Sequence, residues 1–195
     1  MKTDGRKIQF SLKHCYFIIT TLFLIAIICG LFLALNNSDY ATKIDNDMKQ
    51  GAIPFIGLTP LNLFLRIFVN NIWATLFTTF PFFFFGLLAF FDIISNGLRL
   101  GVMAVVVVDK QGLAWFLAGV FTHGIFEFPA LIIADGIGLW LGYLLFRKLF
   151  FKEHKQFRDG FKKGLIIFLK IVIPLLLVAA IVEAFITPKL MAWVK

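Results

Sequence analysis

The feature that most constrains this chain is an apolar run over residues 113–146 into which Thr122-His123-Gly124-Ile125-Phe126-Glu127-Phe128-Pro129-Ala130 places two ionisable side chains. A charge at mid-bilayer costs about 2.5 to 3.5 kcal/mol per residue on insertion scales, so His123 and Glu127 need a partner, a protonation change or a watery cavity. On a helix they stand four residues apart on one face, within reach of each other.

Of the 195 residues, 60% are hydrophobic, 15% are charged and 26 are Phe, which places the chain in the membrane class as one integral domain. The net charge of +8 would suggest nucleic acid in a soluble protein. Here the basic residues occupy short segments between apolar runs, where they set orientation, and nucleic acid is discounted. Cys15 and Cys29 offer neither a disulfide framework nor a zinc-site spacing. Ile28 stands where a lipoprotein needs a small residue, so Cys29 reads as a small hydrophobe in a membrane helix.

Residues 1–15 carry Lys2, Arg6, Lys7 and Lys13 against Asp4 and precede an apolar run over 16–35. Its length predicts an uncleaved first span with a cytoplasmic N-terminus, since Leu33-Ala34-Leu35 makes a poor cleavage site. Residues 36–60 turn polar, with Asp39, Asp45 and Asp47 outnumbering Lys43 and Lys49, as suits an exposed outside loop. Thr59-Pro60 is a helix start. Asn62, Arg66 and Asn70 recur every four residues on a lead-in helix over 61–71, followed by a span over 72–91 with a kink at Pro81.

Residues 92–99, containing Asn96-Gly97, read as a cytoplasmic turn before a short third span ending at Val108. The run over 113–146 is too long for one upright helix at about 1.5 Å per residue. Breaking it at His123-Gly124 gives a re-entrant segment over 113–122 and a crossing over 125–146. Residues 147–163 hold seven Lys/Arg against Glu153 and Asp159, which marks the cytoplasmic side. The last span covers 164–186, with Pro174 as a kink and with Lys170 and Glu183 facing inward or snorkelling. The expected architecture is an all-α polytopic bundle of about five transmembrane helices plus a re-entrant helix, with the N-terminus cytoplasmic and the C-terminus outside.

Small residues at Ala130, Ala134, Gly138 and Gly142, with a second pair at Gly97 and Gly101, let helix backbones approach closely in lipid. Packing within the bundle is the favoured use, and a homo-oligomer face is the competing one. Asp135 lies beside this seam and should face protein or water. His123 and Glu127 supply only two ligands, whereas catalytic zinc usually takes three, and HxxxE is not HExxH. No metal, cofactor or catalytic residue is therefore assigned. A proton or ion relay and a structural lock stay open for the pair, with Asn70, Asn71, Asn96 and Asp135 as polar help. No GxSxG, SxxK or phosphate-cradling glycine pattern supports an enzyme.

Val69-Asn70-Asn71-Ile72, Pro81 and Gly86, Ser95-Asn96-Gly97 with Gly101, and His123 through Ala130 followed by the Gly-rich stretch 135–142 together resemble the stage II sporulation protein M family over about residues 61–145. The resemblance implies an all-helical multipass protein of the bacterial cytoplasmic membrane. In spore formers the family member acts as an anchor for the wall-degrading stage II sporulation proteins D and P. It marks His123 and Glu127 as a signature and assigns them no mechanism. The expected function is thus a membrane scaffold, without chemistry of its own, that positions cell-wall hydrolases or other envelope proteins in the lipid bilayer. A transport component or permease partner using a buried polar line is the alternative. Transport predicts that the polar residues converge on one water-accessible cavity; a scaffold predicts a closed cluster.

Overall fold

The computed structural model describes residues 10–80 and 84–194, and for Phe121 and His123 the backbone alone. The basic residues Lys2, Arg6 and Lys7 and the expected kink at Pro81 lie outside the described residues. Helix α1 (Leu12–Asn36) begins after Ser11, whose backbone N–H donates to Nδ1 of His14 at 3.1 Å. Helix α2 (Ser38–Ala52) follows and closes in a 3-10 turn, Ile53–Phe55. Helix α3 (Pro60–Thr79) starts with Pro60 in its first turn and the Thr59 hydroxyl accepting from the Asn62 N–H at 3.4 Å. Helix α4 runs Leu87–Gln111.

A short α5 (Leu113–Phe116), a π turn (Leu117–Phe121) and α6 (Thr122–Phe151) then make one continuous rod. The last rod joins α7 (His154–Ile167), α8 (Ile173–Ile181) and α9 (Thr187–Trp193) through π turns at Phe168–Val172 and Val182–Ile186. No strand occurs among the described residues.

Contacts fix the direction of each rod. Gly97 of α4 lies against Phe23 and Ala26 of α1, and Gly101 against Ile27 and Leu31, so α1 and α4 run parallel. Tyr16 meets Gly136 and the Phe23 ring meets the Phe128 ring at 5.4 Å, so α6 runs against α1. Phe64 faces Phe185 at 6.4 Å and Phe80 faces Phe168 at 5.3 Å, which sets α3 against the last rod. The centre of the bundle is α6: 61% of its most apolar stretch is buried, against 28% for α1 and α4 and 33% for the last rod. Ala130 and Ala134 pack on Phe168, Val172 and Leu176, while Ile137 and Leu141 pack beside Leu12 and Leu144.

Several expectations are corrected here. Among the described residues four rods, not five, are long and apolar enough to cross a membrane: α1, α4, α6 and the last rod. The fifth, α3, packs lengthwise against them, but Asn62, Arg66, Asn70 and Asn71 dilute its hydropathy; it takes in the expected lead-in and residues 72–79 of the expected span, whose residues 87–91 belong to α4. The polar segment 36–60 is largely helical, not an open loop. Residues 92–99 are no turn: they lie inside α4, where Asn96 satisfies itself by donating to the Asp92 carbonyl at 3.1 Å and Gly97 faces α1.

The re-entrant break at His123-Gly124 is also absent. The excess length runs on past the apolar region into the basic residues 147–151, and the backbone irregularity falls earlier, in the π turn Leu117–Phe121. Pro174 and Pro188 each sit just after a π turn, whose wider backbone accommodates the carbonyl that proline's ring would strike. The basic stretch 147–163 is helical on both sides of a corner at 152–153. There Arg147 donates twice to Glu153, once from Nε at 3.0 Å, and once to the Tyr143 hydroxyl at 3.1 Å.

Between α3 and α4, Phe85 (φ 52) and Gly86 (φ 81) turn the chain with two successive left-handed residues. A Cβ at Gly86 would come within 2.8 Å of the Leu139 Cα, so glycine serves both the backbone conformation and the close approach to α6.

Candidate functional site

Helix α3 presents Asn71, Thr75, Thr78 and Thr79 along the face turned to α6. Steps of four, three and one residue keep these side chains on one stripe. The threonine hydroxyls are satisfied locally. Thr75 donates to the Asn71 carbonyl at 2.7 Å and Thr78 to the Thr75 carbonyl at 3.3 Å, while Thr79 crosses to the Ala134 carbonyl at 3.1 Å. These bonds let a polar face lie in an apolar bundle without orphaned donors.

At the α2-facing end of this stripe, Asn71 Nδ2 donates to Glu127 Oε1 at 3.2 Å. Glu183, from the π turn Val182–Ile186, faces Glu127 closely enough for their charges to interact. Both carboxylates line a cavity of about 310 Å³ together with Asn70, Asn71, Leu63 and Ile67, and Ala52 and Phe55 of the α2–α3 connection border it. Asn70 is otherwise exposed. The His123 backbone lies in the first turn of α6, one helical turn before Glu127, and its side chain lies outside the described residues.

Eight residues further along α6, about 12 Å at helical rise, lies a second polar group. Asp135 is 0% exposed, and neither of its carboxyl oxygens has a hydrogen-bond partner among the described residues. Asp92 of α4 and Thr78 of α3 face it closely enough to interact electrostatically, and the Asn96 carboxamide faces Asp92 in turn. Of the six expected polar residues, the five whose side chains are described therefore do not converge. Asn70, Asn71 and Glu127 share one layer and Asn96 and Asp135 another. Sequence reasoning missed Asp92, placed in a turn, and the threonine stripe, whose seven-residue step from Asn71 to Thr78 was the available signal.

The small-residue positions serve packing within the chain. Gly138 meets Thr79 and the Thr78 carbonyl of α3 and Ala89 of α4, and Gly142 meets Phe85 and Gly86 at the α3–α4 turn. Ala130 and Ala134 are fully buried against the last rod. Among the described residues no group of three His, Cys, Asp or Glu is placed to hold a metal ion.

On the α2 side the bundle is closed by a charge clamp. Asp45 accepts from Lys110 of α4 at 2.8 Å and from Lys49 at 2.6 Å. These two ammonium groups, Lys110 first, hold its carboxyl below the usual carboxylate range. The clamp fixes α2 against the end of α4, with Ala41 buried beside Ala34 and Val102.

Chemically, the Glu127–Glu183 cavity offers carboxylates and carboxamides for a proton or cation, and the Asp92–Asp135 pair is closed. No solved structure matches this chain. An uncharacterized protein of Methanocaldococcus jannaschii is 29% identical over 170 residues, covering 87% of this chain and 91% of the relative. The family model described as stage II sporulation protein M matches residues 19–188, a range that contains both polar layers, the glycine seam and the clamp. With all but the ends of the chain inside that match, the protein belongs to the stage II sporulation protein M family.

Proposed function

We propose that this protein is a membrane anchor that positions cell-envelope partners, peptidoglycan-remodelling enzymes among them, and performs no chemistry of its own. The observation that carries this reading is helix α2. Its inner face is buried on α1 and α4 and clamped through Asp45, while Asp39, Lys43, Asn46, Asp47 and Gln50 stand exposed. A rigid polar helix on one end of an apolar bundle is what a docking platform requires, because little ordering entropy is lost on binding. The basic stretch 147–163 supports an orientation in the cell membrane with the N-terminus cytoplasmic and with α2 and the C-terminus outside.

The test is photo-crosslinking from the exposed face of α2 in native membranes, at Asp47 and Gln50, with Phe91 on α4 as a lipid-facing control. Specific capture of an envelope hydrolase from α2 and not from Phe91 is the expected result; capture of an ATPase, or equal capture from both, overturns the reading. Transport is the second reading, favoured by the cavity that holds Glu127 and Glu183. It requires that Glu127→Gln, which keeps the Asn71 bond but removes the charge, abolish solute or proton flux in reconstituted vesicles.

A further inference from the structure

We propose that Asp92 and Asp135 form a proton-binding site in the interior of the bundle, with one proton shared between the two carboxyl groups and tying α4 to α6. The argument starts from what surrounds Asp135. Its carboxyl group is wholly buried and lacks a donor among the described residues. From α3, the Thr78 and Thr79 hydroxyls are already committed to the Thr75 and Ala134 carbonyls. From α1, the Tyr16 ring packs on neighbouring Gly136 by its carbon edge. From the last rod, the apolar side chains Phe168, Val172, Ile173, Leu175 and Leu176 pack at this level of α6.

Among the described residues, the charged groups that act on the site are on α4: Asp92, a second acid, and beyond it Arg99, which is exposed and acts on Asp92. An ionised carboxylate without donors or counter-charge in such surroundings costs several kcal/mol. Two adjacent carboxylates cannot both ionise there. One proton resolves both problems, because a carboxylic acid O–H on Asp135 then donates to the Asp92 carboxylate in a short, charge-assisted bond. Asp92 is the member suited to keep the charge, since Asn96 and Arg99 face it and it is only half-buried. Calcium or magnesium would need about six oxygen ligands, which two carboxyl groups and committed hydroxyls do not supply. This inference is independent of the anchor reading: a proton held here has the same chemistry whatever docks on α2.

The test is infrared difference spectroscopy on the full-length protein in phospholipid vesicles at neutral pH, in potassium and in sodium buffer, comparing wild type with Asp135→Asn and Asp92→Asn. The expected result is a carbonyl band of a protonated carboxylic acid that disappears in Asp135→Asn, is unaffected by the choice of cation, and moves in Asp92→Asn because its acceptor has become a carboxamide. Should Asp135→Asn fail to fold, the band shift in Asp92→Asn gives the same reading. An acid band unchanged in either variant overturns the proposal. So does a carboxylate band that responds to sodium, which would mean that a metal cation occupies the site.

Discussion

The parallel seam between α1 and α4 gives the most direct test of how this bundle is held together. A Cβ added at Gly97 would stand 2.6 Å from the Ala26 Cβ and 2.9 Å from the Phe23 carbonyl oxygen, both on the rigid body of α1. Neither atom can rotate away, so Gly97→Ala must push the two helices apart by roughly 1 Å, the gap at which each atom pair forfeits a quarter to a half of its contact energy. At about 0.1 to 0.2 kcal/mol per pair, and with roughly 30 pairs along the seam, fewer than one buried leucine makes, the loss is about 1 to 3 kcal/mol. That agrees with what overpacking usually costs. In lipid there is no hydrophobic force between helices to resist the separation. The substitution also improves intrinsic helix propensity by about 1 kcal/mol, so a net loss isolates the packing term. The control is Gly51→Ala in α2, where an added Cβ meets nothing within 4 Å. Thermal unfolding in detergent should show Gly97→Ala melting below Gly51→Ala, which shares the propensity gain, by about 2 to 4 °C for each kcal/mol lost. A Gly97→Ala protein as stable as Gly51→Ala would refute the close-approach argument for the seam.

Two further outcomes follow from the ends of the rods. The carboxyl of Asp45 is held below its unfolded value of about 3.9 by Lys110 and then Lys49, so its stabilisation is fully present above that value and lost as pH falls through the folded one. The lysines are 54% and 65% exposed, so each pair contributes at most about 1 kcal/mol. The protection of α2 amides, relative to their intrinsic exchange rate at each pH, should therefore fall several-fold below about pH 4, and Asp45→Asn should show that lower protection already at neutral pH; equal protection of α2 in both proteins would count against the clamp. At the α6–α7 corner Lys152 holds φ 60, a conformation costing a non-glycine residue about 1 to 2 kcal/mol. Lys152→Gly should be neutral or stabilising by up to about 1 kcal/mol and Lys152→Val destabilising, as read by chemical unfolding in detergent; the reverse order would show that the corner does not depend on this backbone state.

The amino-acid sequence by itself determined the solvent, the secondary-structure class and the family. Long apolar runs leave a lipid-embedded backbone no satisfied state but helix or closed barrel, and the Asn70-Asn71 and His123-to-Ala130 stretches carried the resemblance that the family match bears out. The small residues at Gly97, Gly101, Gly138 and Gly142 were legible as contact points because only small side chains allow backbones to approach. What the sequence left undetermined was where helices end and which polar groups meet. Run length against bilayer thickness predicts a break at His123-Gly124, and Asn96-Gly97 a turn over 92–99, yet α6 continues through His123-Gly124 and α4 begins at Leu87, because a helix can tilt, widen through a π turn or run beyond the lipid. The pairing of Glu127 with Asn71 and Glu183, and of Asp135 with Asp92, depends on the rotation of five rods about their axes and on their relative depth. Rotation and depth are set by packing between rods, so tertiary structure alone divided one expected polar cluster into two layers.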